Sequence, residues 1–439
     1  MNKRIFPVAN PRPVCAGTGL VALDIVFNGD STVPPRMWAG GSCGNVLTIL
    51  SYLGWRAVPL ARLGQDEAAQ KILEDWQRFG VDHSFVELDA RVSTPIIVEQ
   101  ICVSADGVPT HRFFWVCPNC GTWLPRYRPI LLTSAKRAVS QIPTVNCFYF
   151  DRVSPAALEL ASQAKAAGAL VVFEPPSIKD NDLFNKAVEV SHIVKYANDR
   201  IREEVAFRSI DGPVLIIETL GEGGIRYRLR NQKGSAHWKR LSAFSVKEFR
   251  DAAGAGDWCT AGIIYKLGAN GSRGLEKASE KKIVEALEVG QAMAALNCGF
   301  EGARGGMYVL DTDEFERAIE RILDSRIVEE PSMEMVSEDV SELFSCLCPG
   351  CRERARKSEA KGKRKGLRSV TYHVLPGKKG IWSVIREKAN RIISNHRTKK
   401  AALEEAKRIA KKASGTVIIV VHKKDGTIQT KHHFRSEDG

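Results

Sequence analysis

The 439-residue sequence contains no run of about 18 apolar residues, which excludes a membrane-spanning helix. Met1 to Pro13 carries charge but no apolar stretch with a small-residue cleavage site follows it, so nothing there resembles a signal peptide. Net positive charge is missing from most of the chain. Lys357 to Gly439 holds 22 Lys and Arg against 7 Asp and Glu, leaving 42 against 44 for everything before it. Two differently behaving parts are therefore joined, a near-neutral large one and a small basic one. General disorder and a fibrous fold are excluded by a hydrophobic content of 44%. Eleven Cys is an odd number in a chain with ample core, which argues for reduced thiols and a cytoplasmic location.

A short apolar run from Val14 to Ile25 reads as a buried first strand, ending near Asp24. Gly40-Gly41-Ser42-Cys43-Gly44-Asn45 opens a helix through Leu53, followed by a strand at Ala57–Leu63 and a helix over Glu67–Phe79. Residues 94–103 and 111–116 are β-rich around Asp106-Gly107, a favoured hairpin turn. From residue 134 onward helices alternate with apolar strands at Cys147–Phe150, Leu170–Phe173, His192–Lys195 and Val214–Glu218. That alternation predicts a doubly wound α/β domain, its mostly parallel sheet covered by helices on both faces. The helices Ala255–Leu267 and Ser279–Leu296 close it, giving a large domain over 1–325. Residues 326–366 read as a linker, first acidic, then Cys-containing and basic. Residues 367–439 read as a compact ββαββ α+β unit with its helix over Lys399–Ala413.

The sharpest chemical signal is Asp251-Ala252-Ala253-Gly254-Ala255-Gly256-Asp257, running into a helix. Small residues there permit a tight turn and leave the first N–H groups of the helix open to an anion. Asp257 at that helix start could take a proton from a hydroxyl while Gly254, Ala255 and Gly256 hold phosphoryl charge. Glycine-rich turns capped by Asp are also common without any ligand.

This segment resembles the second signature of the ribokinase-like (PfkB) sugar and nucleoside kinases, Asp-Thr-x-Gly-Ala-Gly-Asp. Gly40-Gly41-x-x-Gly44-Asn45 is similar to the first signature, and Asp24 resembles the aspartate that binds substrate hydroxyls. Leu63-Gly64-Gln65-Asp66 resembles the Gly-x-Asp element, and Thr219-Leu220-Gly221-Glu222-Gly223-Gly224 the stretch lining the nucleotide. The similarity covers roughly residues 14–310, in the family's order. It implies a small β lid, here over about 25–38 and 94–116, with ATP as donor and Mg²⁺ as counter-ion. It also implies transfer of the γ-phosphoryl group to a hydroxyl of a nucleoside-like or sugar acceptor. Asp257 would be the general base; Asp24, Gly40, Gly41 and Asn45 would hold the acceptor. Asn198, Thr219, Gly221, Gly224 and Asp251 would face the nucleotide and its metal.

Three departures bear on metal handling and rate. Ala252 stands where the family has Thr, Ile201 stands where the Asn-x-x-Glu element starting at Asn198 should end, and Glu174-Pro175-Pro176 replaces Asp-Pro-Asn. Glu203 or Glu204 could substitute for the missing carboxylate. Trp38, Phe113 and Trp115 sit on segments expected to edge the acceptor pocket; they suit a planar group there, or simple packing of lid on body. The second reading, from another class, is a catalytically weak nucleotide-binding sensor whose tail recruits a partner.

Cys117-Pro118-Asn119-Cys120 and Cys348-Pro349-Gly350-Cys351 each have the shape of a zinc knuckle. Together they offer four thiolates, the number and softness that suit structural Zn²⁺, which would pin the linker to the lid. Unrelated turns, a redox-sensitive pair and a zinc shared between subunits stay open, with a homodimer among the assemblies the sequence allows. The stretch from Val370 to Phe434 resembles a small bacterial domain of uncharacterised function, through Trp382, the Thr398-Lys399-x-x-Ala402 helix start and the closing Val420-x-His422-x-x-Asp425-Gly426 hairpin. Its Lys and Arg residues could face nucleic acid or an acidic protein, though no base-reading motif is visible.

Overall fold

A computed structural model describes residues 4–7, 9–27, 35–103, 109–117, 120–140, 144–201, 213–230, 237–329, 347–354, 369–377, 380–387, 392–412, 416–424 and 427–435. Asp106-Gly107, Glu203, Glu204, Asp425-Gly426 and most of the linker, residues 330–346 and 355–368, lie outside them. The chain forms two units, Met1–Arg352 and Glu353–Gly439.

In the first unit, period-two burial explains the central sheet. Cys147 and Tyr149 face one core while Phe148 and Phe150 face the other; Leu170 and Val172 likewise oppose Val171 and Phe173. A strand buried on both faces reads as an unbroken apolar run, and helices must cover each side. The sheet has eight strands in the order Lys239–Leu241, Ile225–Leu229, Leu215–Thr219, Ile193–Ala197, Leu170–Phe173, Cys147–Phe150, Val14–Thr18 and Arg56–Pro59. Six pair in parallel; at one edge Ile225–Leu229 runs opposite to Leu215–Thr219, and Lys239–Leu241 pairs antiparallel with Ile225–Leu229. The helices Ala255–Leu267 and Glu280–Asn297 pack together through glycines: a Cβ on Gly262 would lie 2.7 Å from the Gly290 Cα.

A second, four-stranded sheet runs in the order Arg36–Gly40, Ala22–Phe27, Ile96–Val103, Pro109–Phe114. Its central pair is parallel and its outer pairs antiparallel. Arg36 Nη1 reaches Glu301 Oε2 at 2.7 Å, and Trp38 stacks on Tyr308 with ring centroids 5.5 Å apart. Both join this small sheet to the body. The stretch expected as one strand over 57–63 is two, Arg56–Pro59 and Ala61–Leu63, in different sheets. The break follows Pro59, which has no N–H to continue a ladder. Among the described residues no helix is long and apolar enough to cross a membrane.

The second unit has five strands rather than four. The sheet order is Ile392–His396, Trp382–Arg386, Ser369–Pro376, Thr416–His422, Ile428–Arg435, with the helix Lys399–Lys412 covering one face. The unforeseen strand, Ile392–His396, is an edge whose Ile392 and Ile393 stay exposed, so it carries no inside-outside alternation to read. Tyr372, Val374, Trp382 and Val384 meet Ala402, Ala406, Ala410 and Ile419 in the core. The basic helix is partly self-neutralised: Lys407 pairs with Glu404 at 2.9 Å and Arg408 with Glu405 at 2.7 Å.

Ile419 is fully buried in that small core, so Ile419→Ala should cost about 2–5 kcal/mol. Hydrogen exchange read by mass spectrometry should accelerate across Thr416–His422 and stay unchanged in Cys147–Phe150. Acceleration of both would show that the units do not unfold independently.

Candidate active site

The helix Ser42–Tyr52 begins at Gly41, whose φ of 77° few other residues adopt. A Cβ on Gly41 would also come within 2.6 Å of the Leu20 carbonyl oxygen, and one on Gly40 within 1.9 Å of Asp24 Oδ2. The paired glycines thus make room for Asp24, a buried carboxylate on the strand Ala22–Phe27. Four residues into the first turn, the Asn45 side chain donates from Nδ2 to Asp257 Oδ2 at 2.7 Å. The first and second signatures meet through this bond.

On the other side, Asp251 organises the loop before the helix Ala255–Leu267. Its two oxygens accept from the Ala253 N–H at 2.9 Å and the Gly302 N–H at 2.8 Å. Gly254, at φ 71°, caps the helix where a Cβ would lie 2.1 Å from the Ala303 oxygen. Ala255 N–H turns back to the Ala252 oxygen at 3.2 Å. By helix geometry the N–H groups of Gly256 and Asp257 have no intrahelical acceptor, so these are the donors available to an anion.

Beneath that helix start lies an ion pair. Glu174, just after the strand Leu170–Phe173, bonds to Lys195 and accepts from Thr260 Oγ1 at 2.6 Å and Tyr149 OH at 3.3 Å. Lys195 is fully buried on the strand Ile193–Ala197. A Cβ on Gly256 would sit 3.5 Å from Glu174 Oε1 and 3.6 Å from Lys195 Nζ, so Gly256 lies directly over the pair. Glu174 stood out in the sequence only as a departure; a lysine inside an apolar strand was the signal for its partner. The Asp257 carboxyl is pushed up to about 8 by burial first and by nearby Glu174, against the opposing pull of Asn45 and Lys195.

The surroundings of Asp24 are also acidic. Burial raises Asp24 to about 7, resisted by the charge of Arg304 and the Gly41 backbone. Arg304 is fully buried, pairs with Asp75 at 2.5 Å and donates to the Ala39 oxygen, while Tyr308 OH bonds Asp75 at 2.9 Å. Sequence reading missed Arg304; its only sign was an arginine inside the glycine-rich run Gly302–Gly306. Glu99, on the strand Ile96–Val103, is held protonated, its acidity suppressed to about 10 by burial and by Asp251 and Asp24. Trp38 is spent on Tyr308 and Gly302, whereas Phe113 and Trp115 remain exposed.

Asn198, Thr219, Gly221 and Gly224 gather at the carboxyl ends of Ile193–Ala197 and Leu215–Thr219. Asn198 N–H donates to the Thr219 oxygen at 3.1 Å, and Gly224, at φ 86°, sits where a Cβ would lie 2.1 Å from the Leu241 oxygen. The carboxyl edge of a parallel sheet is where such folds bind ligands. Ile201 is buried in the core, and Glu203 and Glu204, which could substitute for its missing carboxylate, lie outside the described residues. Gly64 and Asp66 instead tie down the loop at Thr94, with bonds of 2.9 Å each. Cys117, Cys120, Cys348 and Cys351 come together with all four sulfurs within 4.8 Å of one another, a set that could hold a metal ion.

The profile described as pfkB family carbohydrate kinase matches residues 34–308. The chain belongs to that family. It is accordingly a phosphotransferase that uses ATP and acts on a hydroxyl-bearing small molecule, with Mg²⁺ typical of the family. Among curated relatives, Fructokinase-1 of Zea mays is 25% identical over 289 residues, covering 60% of this chain and 83% of that protein. Fructokinase of Solanum tuberosum is 26% identical over 244 residues, covering 52% and 71%. The fold is shared with aminoimidazole riboside kinase from Salmonella enterica at 20% identity and TM-score 0.52, covering 71% of this chain and 99% of that one. It is shared also with Fructokinase with bound ATP from Xylella fastidiosa, at 17% identity and TM-score 0.55, covering 71% and 98%. Residues 372–434 match a second family, described as an uncharacterized protein conserved in bacteria (DUF2188).

Losing the Asn45 hydrogen bond removes an interaction of about 1.5–3 kcal/mol with the charged form of Asp257. Asn45→Ala should therefore cut kcat/KM at neutral pH by about 10–100-fold. Because the bond favours the carboxylate, its loss should also move the acidic limb of the kcat/KM profile to higher pH. An unshifted profile would show that Asn45 does not set the state of Asp257.

Proposed function

We propose that this chain transfers the γ-phosphoryl group of ATP to a hydroxyl of a sugar-like acceptor, with Asp257 as general base. The observation that carries the reading is Asp257 itself: at a helix N-terminus, fixed by Asn45 at 2.7 Å, with a proton affinity raised to about 8. Asn45 holds Oδ2, which directs the incoming proton to Oδ1. The acceptor O–H gives that proton to Asp257 as its oxygen bonds to the γ-phosphorus, and the bond to the β-phosphate oxygen breaks with its electron pair leaving on ADP. N–H groups at Gly256 and Asp257, reinforced by the helix dipole, meet the charge on the transferred group. The cradle fits an anion because Gly254 and Gly256 leave no Cβ in the way.

Mg²⁺, when bound, would neutralise phosphate charge, and Asn198 is a side chain at that edge that would help hold it. Asp24 holds acceptor hydroxyls, and Gly40 and Gly41 keep the space around it. A sugar is favoured over a nucleoside because Trp38 is already stacked on Tyr308, and the groups nearest Asp24 are polar: Arg304 and Glu99. The names of the curated fructokinases point the same way. In the C-terminal unit the cationic excess supports an anionic partner, polynucleotide or acidic protein, whose binding would weaken with salt.

ADP release should be measured with ATP and Mg²⁺ across a panel of ketoses, aldoses and nucleosides. A ketose- or aldose-dependent signal should fall by about 100–10,000-fold in Asp257→Asn. In the active enzyme kcat/KM should rise with pH through about 8 and then level, because only the carboxylate accepts the proton. ATP binding without turnover on any acceptor would favour the sensor reading instead.

A further inference from the structure

We infer that Cys117, Cys120, Cys348 and Cys351 form a structural zinc site that locks the segment after the kinase fold onto the base of the small sheet. The argument is geometric. A tetrahedral site with Zn–S bonds of about 2.3 Å has sulfur–sulfur edges of about 3.8 Å. Here Cys117 Sγ lies 3.8 Å from Cys351 Sγ, and Cys120 Sγ lies 3.6 Å from Cys348 Sγ. Both contacts cross between the two Cys-x-x-Cys turns, so the sulfurs interdigitate as ligands of one ion rather than as two separate pairs. All four side chains are thiols rather than disulfides, and three of them are buried. An all-sulfur set of four is the soft, closed donor shell that suits zinc and leaves no open position for chemistry.

The surrounding chain is built to hold this arrangement. Cys117 N–H donates to the Thr122 oxygen and Gly121 N–H to the Cys117 oxygen, both at 2.8 Å, with Gly121 at φ 70°. On the opposite side, Arg352 N–H donates to the Cys348 oxygen at 2.9 Å, and residues 349–354 are helical. Gly350 is pressed so close to Thr122 that a Cβ would lie 2.2 Å from its hydroxyl. Leu347, fully buried, is the other anchor of this segment.

The site has a mechanical address. Leu124 N–H bonds the Trp115 oxygen at 3.0 Å, and Ile96 N–H bonds the Pro125 oxygen at 3.3 Å. Ile96 opens the strand that pairs in parallel with the Asp24 strand, Asp24 standing opposite Ile97. An ion joining residues 228 apart thus closes a very long loop onto the sheet that carries Asp24.

The test is elemental analysis of the full chain purified under reducing conditions without added metal. One equivalent of zinc per chain is expected, falling to background in the Cys117→Ser/Cys348→Ser variant. Should that variant fail to fold, an organomercurial titration of the native protein replaces it, with zinc released in step with the four thiols. Replacement by Co²⁺ should give the visible bands and sulfur charge-transfer absorption of a four-thiolate site. Chelation should speed hydrogen exchange in both 120–125 and 347–352. Metal-free protein whose four thiols all react in the native state would overturn the proposal, as would iron in place of zinc or a disulfide within either pair.

Discussion

The candidate site of the large unit hangs on one hydrogen bond between two helix starts, Asn45 to Asp257. Each end is pre-set by glycine: Gly41 turns the chain into the helix Ser42–Tyr52, and Gly254 turns it into Ala255–Leu267. Neither turn tolerates a side chain, because the Leu20 and Ala303 carbonyls occupy the space. The two helices are more than 200 residues apart in sequence, yet both begin at the same edge of the sheet. A carboxylate fixed there has one oxygen committed and stands at a helix start whose Gly256 and Asp257 N–H groups are open, a geometry that suits the proposed removal of a proton from a hydroxyl beside an anion.

Around that bond the protein concentrates acids and then offsets them selectively. Asp24, Asp151, Glu99, Glu174, Asp251 and Asp257 crowd the site, and burial raises Asp24, Asp151, Glu99 and Asp257. Lys195 neutralises Glu174, Arg152 bonds Asp151 at 2.7 Å, and Arg304 lies against Asp24. Glu99 is held neutral instead, by burial and by Asp251 and Asp24, sharing a hydrogen bond with Asp251. The result is a division of labour set by surroundings: Glu174 with Lys195 lies beneath Gly256 at the helix start, Asp251 ties the loop, and burial raises the proton affinity of Asp257.

The parts of this design that were legible in the sequence are those written in contiguous residues. Apolar runs located the strands of the main sheet, although the single strand expected from Val14 to Ile25 is two, Val14–Thr18 and Ala22–Phe27, in different sheets, and Gly40–Asn45 with Asp251–Asp257 located the two helix starts. Glu174, Lys195 and Arg304 were not legible as site residues, because each acts through a partner far along the chain: Thr260 and Tyr149 for Glu174, Asp75 for Arg304. No local pattern records such pairing. The edge strand Ile392–His396 was missed for a related reason, since its register is fixed by Trp382–Arg386 and not by its own alternation. Conversely, Trp38 was weighed as a ligand-facing aromatic and its packing alternative prevailed, because Gly302 leaves a slot that its ring fills.

The departures from the family signature follow the same logic of support at a distance. Ile201 gives up a carboxylate but is fully buried, so its side chain packs in the core. Ala252 gives up a hydroxyl, yet its carbonyl still accepts from Ala255 and keeps the loop turned. Glu174, in place of an aspartate, is one methylene longer and uses that reach to bond Lys195, Thr260 and Tyr149 at once. What these substitutions share is that none disturbs the Asn45–Asp257 bond or the two glycines behind it. The chain has altered the surroundings while keeping the bonded carboxylate and the open helix start that, on the proposed reading, serve as base and anion cradle.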